Sequence, residues 1–143
     1  MVYLDTSSLL KLVWLEAESE AVADRVSRED TVLVSSLTEL ESVVQITAAH
    51  LRGDYSLARS RRLRKELDEL LDSAPFERRA LSGEVFKLSM IQHSRYGITG
   101  FCRTLDRLHL AAMQELGVNH LITNDTHLAT TARVLGFVAE TPV

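Results

Sequence analysis

The stretch Val2-Tyr3-Leu4-Asp5-Thr6-Ser7-Ser8-Leu9-Leu10-Lys11 decides the fold. A short run that is apolar at every position reads as a strand buried on both faces, the habit of parallel sheets. It stops at an acid and three hydroxyl residues. Leu9, Leu10, Leu12, Val13 and Leu15 then predict a largely buried helix whose N-cap is a Thr or Ser. Thr31–Ser35 (TVLVS) reads as a second buried strand, and Ser36-Leu37-Thr38-Glu39 has the spacing of a capping box. Behind that box Leu40, Val44, Thr47 and Leu51 recur at helical spacing up to Gly53.

The alternation continues along the chain. A helix over Ser19–Arg28, with Val22 and Val26 on one face, lies between the first two strands. A charged helix over Tyr55–Asp72 carries the apolar stripe Leu63, Leu67, Leu70 and Leu71, and Phe76–Leu81 reads as a short strand. Ser82 caps a helix through Val85, Phe86, Leu88 and Met90 that stops near Tyr96-Gly97. After a loop, Thr104–Leu116 is a helix closed by Gly117, His120–Thr123 a strand, His127–Leu135 a helix, and Phe137–Ala139 a last strand. Strands alternating with helices predict a three-layer α/β/α fold around a central, mostly parallel sheet. No repeat, linker or low-complexity tract interrupts it, so one domain is expected over 1–143.

Hydrophobic residues make up 45% and charged residues 25% of the 143, enough for one core and too apolar for a disordered chain. The one cysteine, Cys102, has no partner for an internal disulfide, which suits a reducing compartment. No apolar run nears the roughly 20 residues of a membrane span. The N-terminal stretch lacks a basic leader region, so a cytoplasmic protein is expected. Lys plus Arg number 16 against 20 Asp plus Glu, a net of −4. If four carboxylates share one metal site the remainder balances, so net acidity does not exclude a nucleic-acid substrate.

In open α/β sheets, sites form at the carboxyl ends of the strands. Asp5 follows the first strand directly, and Asp125 stands just past the Leu121–Thr123 strand. Asp106 opens a helix, and Glu39 and Glu41 open the helix after the second strand. Any one of these acids has an ordinary explanation as a helix cap or dipole partner. Four in one topological position oppose stability, because like charges repel. A hard divalent cation such as Mg²⁺ or Mn²⁺ resolves the conflict through carboxylate oxygens.

Tyr3-Leu4-Asp5-Thr6-Ser7-Ser8-Leu9, Arg103-Thr104-Leu105-Asp106-Arg107-Leu108-His109-Leu110-Ala111 and Thr123-Asn124-Asp125 resemble the PIN-domain ribonucleases. More narrowly they resemble the VapC toxins of bacterial toxin–antitoxin pairs, as does the tail Leu128–Phe137. The resemblance covers essentially the whole chain, in order and spacing. It implies a Mg²⁺- or Mn²⁺-dependent endoribonuclease with a carboxylate cluster of Asp5, Asp106, Asp125 and one glutamate after the second strand. Glu39 and Glu41 compete for that place. A capping box explains Glu39 structurally and leaves Glu41 unexplained, and the family's spacing from its serine pair also favours Glu41. Asp5 and Asp106 would then hold the metal directly, with Glu41 and Asp125 ligating directly or through water. Thr6, Ser7 and Thr123 would orient these acids, or serve only as caps and strand formers. Arg103 would contact phosphate or balance the acids.

The five histidines have no metal-ligand spacing, and His109 reads as a satisfied core histidine. Cys102 reads as a small buried residue. The basic run Arg59–Lys65, followed at once by acids, reads as a solvated helix with internal ion pairs or as a partner-facing arm. A haloacid-dehalogenase-like phosphohydrolase would need a second Asp two residues after Asp5, where Ser7 stands. A PIN fold without catalysis, binding only RNA or protein, is the alternative, and four filled acidic positions speak against it. The stripe Leu63, Leu67, Leu70 and Leu71 is expected to exceed what one sheet can cover. The resulting expectations are a homodimer and a VapB-like antitoxin whose Arg reaches the acids.

Overall fold

A computed structural model describes residues 1–143. The strands are β1 (Val2–Leu4), β2 (Val32–Ser35), β3 (Phe76–Arg79), β4 (His120–Ile122) and β5 (Val138–Glu140). They form one five-stranded sheet in the order β3-β2-β1-β4-β5, parallel throughout. Side chains alternate across it. Val2, Leu4, Val32, Val34 and Ile122 point to one face and Tyr3, Leu33, Leu121 and Ala139 to the other, each set inside its own apolar cluster.

The first face is covered by α1 (Thr6–Lys11), α2 (Ser19–Ser27), α3 (Ser36–Leu51) and α4 (Leu57–Leu71). The second is covered by α5 (Glu84–Tyr96), α6 (Thr104–Leu116) and α7 (Thr126–Val134). The expected three layers are therefore present. Gly117, at φ 67°, ends α6 in the left-handed region that a residue with a Cβ resists.

Two local expectations fail, each for a physical reason. The cap of α1 is Asp5 rather than a Thr or Ser, its carboxylate accepting the Ser8 N–H at 3.1 Å. The cap of α3 is Ser35, whose Oγ accepts the Thr38 N–H at 3.2 Å, so Ser36 and Glu39 form no capping box. Ser36 Oγ accepts the Leu81 N–H instead, and Glu39 pairs with Arg78 at 3.2 Å. At α5 the expected cap is present one residue further out: Gly83 holds the N-cap position, and Ser82 Oγ accepts the Glu84 N–H at 3.2 Å.

The α3 stripe is the larger surprise. Leu40, Val44 and Leu51 are 61%, 56% and 79% exposed, while Thr38, Ser42, Ile46 and Ala49 face inward. Hydroxyls can be buried there because each is satisfied: Thr38 Oγ1 donates to the Leu4 carbonyl, and Ser42 Oγ to the Thr38 carbonyl at 2.7 Å. Conversely, Leu63, Leu67 and Leu71 of α4 lie inside the first core cluster with Leu70 packed against it. The expectation that this stripe is surplus surface is overturned. The basic run on α4 makes long ion pairs within its own helix, Arg59–Glu66, Arg64–Asp68 and Lys65–Glu69 at 3.7–3.9 Å.

Candidate active site

Asp5 follows β1 and lies 4% exposed beneath the carboxyl edge of the sheet. Ser7 Oγ donates to both of its oxygens, at 2.9 and 3.0 Å, and Thr123 Oγ1 donates to Oδ2 at 2.9 Å. Burial pushes the Asp5 carboxyl up, against the charge of His109 and the hydrogen bonds from Ser8, Ser7 and Thr123. Asp125 follows β4 and caps α7, its Oδ1 accepting the His127 and Leu128 N–H groups at 2.9 and 3.0 Å.

Glu41 sits in the second turn of α3 and Asp106 in the first turn of α6. Together with Asp125 they line one cleft of about 1050 Å³. Arg103, exposed at the N-cap of α6, lines it too, as do Phe86, Met90, Phe101 and Leu105. Asp5 lies behind this cleft and is tied to it through its neighbour Thr6, whose Oγ1 donates to Glu41 Oε1 at 2.9 Å.

The electrostatics distinguish these acids. Burial first, and then the charges of Asp125 and Glu41, push the Asp106 carboxyl above the usual range; His109 and His127 oppose this. Burial also works to raise Glu41, but the hydrogen bond and charge of His109 and the Thr6 hydrogen bond together hold it below the usual range. Glu39, held by Arg78 away from the cleft, takes no part. Of the two competing glutamates, Glu41 is the one placed at the cleft.

Sequence reasoning left two members of this site in the background. His109 is buried and joins Glu41 Oε1 through Nε2, while its Nδ1 lies 2.7 Å from Tyr3 Oη. The signals were spacing. His109 stands three residues after Asp106, on the same helical face, and Tyr3 stands two before Asp5, on the same face of the strand. The loop before α6 is tethered from below by Arg107, a buried side chain whose Nη2 donates to the Gly100 carbonyl at 2.5 Å. Cys102 in that loop is buried, with its thiol pushed up by burial.

No three His, Cys, Asp or Glu side chains are placed to close on one metal ion. The donor chemistry still fits a hard divalent cation. Glu41 Oε2, Asp125 Oδ2 and both oxygens of Asp106 accept no hydrogen bond from the protein, although these three acids share one cleft. Oxygen donors in mutual repulsion are what Mg²⁺ or Mn²⁺ compensates.

Comparison with known proteins shows the fold and the family. The fold is that of VapBC2 from Rickettsia felis, solved with a promoter DNA fragment, at TM-score 0.73 and 14% identity over the whole of both chains. It is also that of Mycobacterium tuberculosis VapC20, described as a Sarcin-Ricin loop cleaving toxin, at TM-score 0.70 and 16% identity over 96% of this chain and 97% of that one. Among curated proteins, the ribonuclease VapC35 of Mycobacterium tuberculosis strain H37Rv is 30% identical, over 99% of this chain and 97% of its own length. The PIN domain family model matches residues 2–134. The chain belongs to the PIN-domain family.

Proposed function

We propose that this protein is a metal-dependent endoribonuclease that cuts RNA phosphodiester bonds as the toxin of a toxin–antitoxin pair. The observation that carries the reading is the cleft itself. Glu41, Asp106 and Asp125 arrive there from three separate elements, and burial together with the charges of the other two holds Asp106 above its usual pKa. Nothing in folding stability requires that repulsion. Relatives named ribonuclease VapC, alignable end to end, support the same conclusion.

Asp5, Glu41, Asp106 and Asp125 would hold Mg²⁺ or Mn²⁺. Such an ion, when bound, makes hydroxide available at neutral pH and shields the charge that builds on the phosphate. The protein's own part is orientation. Ser7 and Thr123 fix the Asp5 carboxylate, and Thr6 fixes Glu41. Arg103 at the cleft mouth is the phosphate contact, and exposed Phe86 and Phe101 offer faces on which unstacked bases rest. We read residues 1–143 as one domain acting in the cytoplasm; no helix is long and apolar enough to cross a membrane.

Purified protein with single-stranded RNA tests the reading. Cleavage is expected with Mg²⁺ or Mn²⁺ and none in excess chelator, with the thermal melt retained. Undiminished cleavage in chelator overturns the metal mechanism, and RNA binding without cleavage under any metal leaves only a binding module.

The partners follow from exposed apolar groups of α3 and α5, the α4 stripe at Leu63, Leu67 and Leu71 being buried. Leu40 and Phe86 share a groove between these helices that shares Phe86 and Leu108 with the acidic cleft. A VapB-like antitoxin segment would lie along it, with an Arg reaching the carboxylates. A second copy would cover the outer α3 face at Leu40, Val44 and Leu51. Sedimentation at micromolar concentration should give twice the 16.0 kDa chain mass. Leu40→Glu, at an exposed position, should shift it to monomer without loss of thermal stability.

A further inference from the structure

We propose that His109 is a positioning residue for Glu41, its ring held by Tyr3 so that an Nε2–H always faces Glu41 Oε1 and leaves Oε2 for the ligand of the cleft. The inference rests on the reading of Glu41 as a metal-holding carboxylate.

The geometry is a closed chain of hydrogen bonds across three elements. Ser35 Oγ, the cap of α3, lies 2.7 Å from Tyr3 Oη on β1. Tyr3 Oη lies 2.7 Å from His109 Nδ1 on α6, and His109 Nε2 returns to Glu41 on α3. Thr38 Oγ1 adds a contact to Tyr3 Oη at 3.3 Å. Tyr3 is fully buried, His109 is 3% exposed, and their rings meet edge to face with centroids 5.8 Å apart.

The direction of the chain follows from chemistry. An ionised carboxylate only accepts, so the ring nitrogen facing Glu41 must carry a proton, whether or not Nδ1 carries one as well. A tyrosine phenol keeps its proton at neutral pH, so Tyr3 Oη, 2.7 Å away, is available as a donor to Nδ1. Glu41 Oε1 thus receives two donors, His109 and Thr6, while Oε2 receives none from the protein. Because His109 is one helical turn from Asp106, the same bridge sets the span between the Glu41 and Asp106 carboxylates.

Mn²⁺ alone is the probe, titrated calorimetrically into the full chain without RNA. His109→Leu is expected to weaken Mn²⁺ binding about 10- to 100-fold, the usual effect of removing a group that orients a metal-holding side chain. His109→Gln, whose amide N–H reaches toward Glu41, should recover most of the loss. Equal affinity in wild type and His109→Leu overturns the inference, and so do equal losses in the Leu and Gln variants. Nitrogen-15 spectra of the wild-type ring should show Nε2 protonated; a neutral ring protonated at Nδ1 alone overturns the inference whatever the metal does. Tyr3→Phe should leave Nε2 protonated and shift the Nδ1 signal, because Nδ1 loses its hydrogen-bond partner; an unchanged Nδ1 signal there removes Tyr3 from the chain. That measurement stands even if His109→Leu fails to fold. Wild-type protein that binds no Mn²⁺ overturns the metal reading itself, a distinguishable result.

Discussion

Two groups of charged side chains in this molecule are built on opposite rules. Around Arg25 every acid has a cation. Its Nε lies 2.5 Å from Glu140, its Nη1 2.7 Å from Glu29, and His120 and the Met1 ammonium complete the set. Arg25 holds both the Glu29 and Glu140 carboxyls below the usual range, mainly through hydrogen bonds. At the cleft, acids neighbour acids, and burial with their charges pushes Asp106 the other way. The first group ties α2 to β5 and favours the folded state. The second costs stability in the metal-free protein, which is the physical mark of a site kept for chemistry.

Neutralising one member of each group gives the widest separation. Asp106→Asn should lower RNA cleavage about 10²-fold or more, roughly 3 kcal/mol of transition-state stabilisation, while raising the melting temperature of the metal-free protein. Arg25→Met should do the reverse: cleavage unchanged, and stability reduced by about 1–2 kcal/mol, between the values for exposed and buried pairs. A melt of Asp106→Asn below wild type would mean that the acids are compensated in a way the structure does not show.

Acid sharpens the contrast because the signs differ. Glu29 and Glu140 have depressed pKa values when folded, so their contribution is present above about pH 4.3 and is lost as pH falls through the folded values. Asp106 has a raised value, so its ionisation costs stability as pH rises through that value, and protonation relieves the cost. Both variants should therefore converge on wild type in acid. Arg25→Met does so because wild type loses a stabilising contact, and Asp106→Asn because wild type sheds a repulsion. Melting curves from pH 7 to 3 read this directly. The smallest expected effect is that of Glu39→Ala, which breaks one exposed pair with Arg78 and should cost under about 1 kcal/mol with cleavage within about twofold. A larger loss of cleavage would put Glu39, not Glu41, at the cleft.

What was legible in the sequence is what depends on local pattern. Apolar strands ending in an acid placed Asp5 and Asp125 because β-strand burial and strand ends are short-range signals. Glu41 was reached by a wrong step: the capping box that was to occupy Glu39 does not exist, and Arg78 from the edge strand engages it instead. The inward face of α3 was illegible because Thr38 and Ser42 look polar, and only tertiary partners such as the Leu4 carbonyl make them suitable for burial. The same holds for the Tyr3–His109–Glu41 chain, whose two links join residues 106 and 68 positions apart in the chain. The α4 stripe was correctly located and wrongly assigned, since periodicity shows that a face is apolar but not what covers it.

The strand at one margin of the sheet sets the direction in which the molecule can grow. β3 presents Phe-Glu-Arg-Arg with Glu77, Arg78 and Arg79 exposed, and Arg79 is paired to Glu77 at 2.9 Å. A strand from another chain laid along it would have to displace those charges from water, and it would find only four residues to pair with. At the opposite margin β5 offers three. Ribbon-like polymerisation through the backbone is thereby discouraged at both ends, even in a cell where many copies accumulate. Association is left to helix surfaces, where a two-fold contact between identical patches closes on itself.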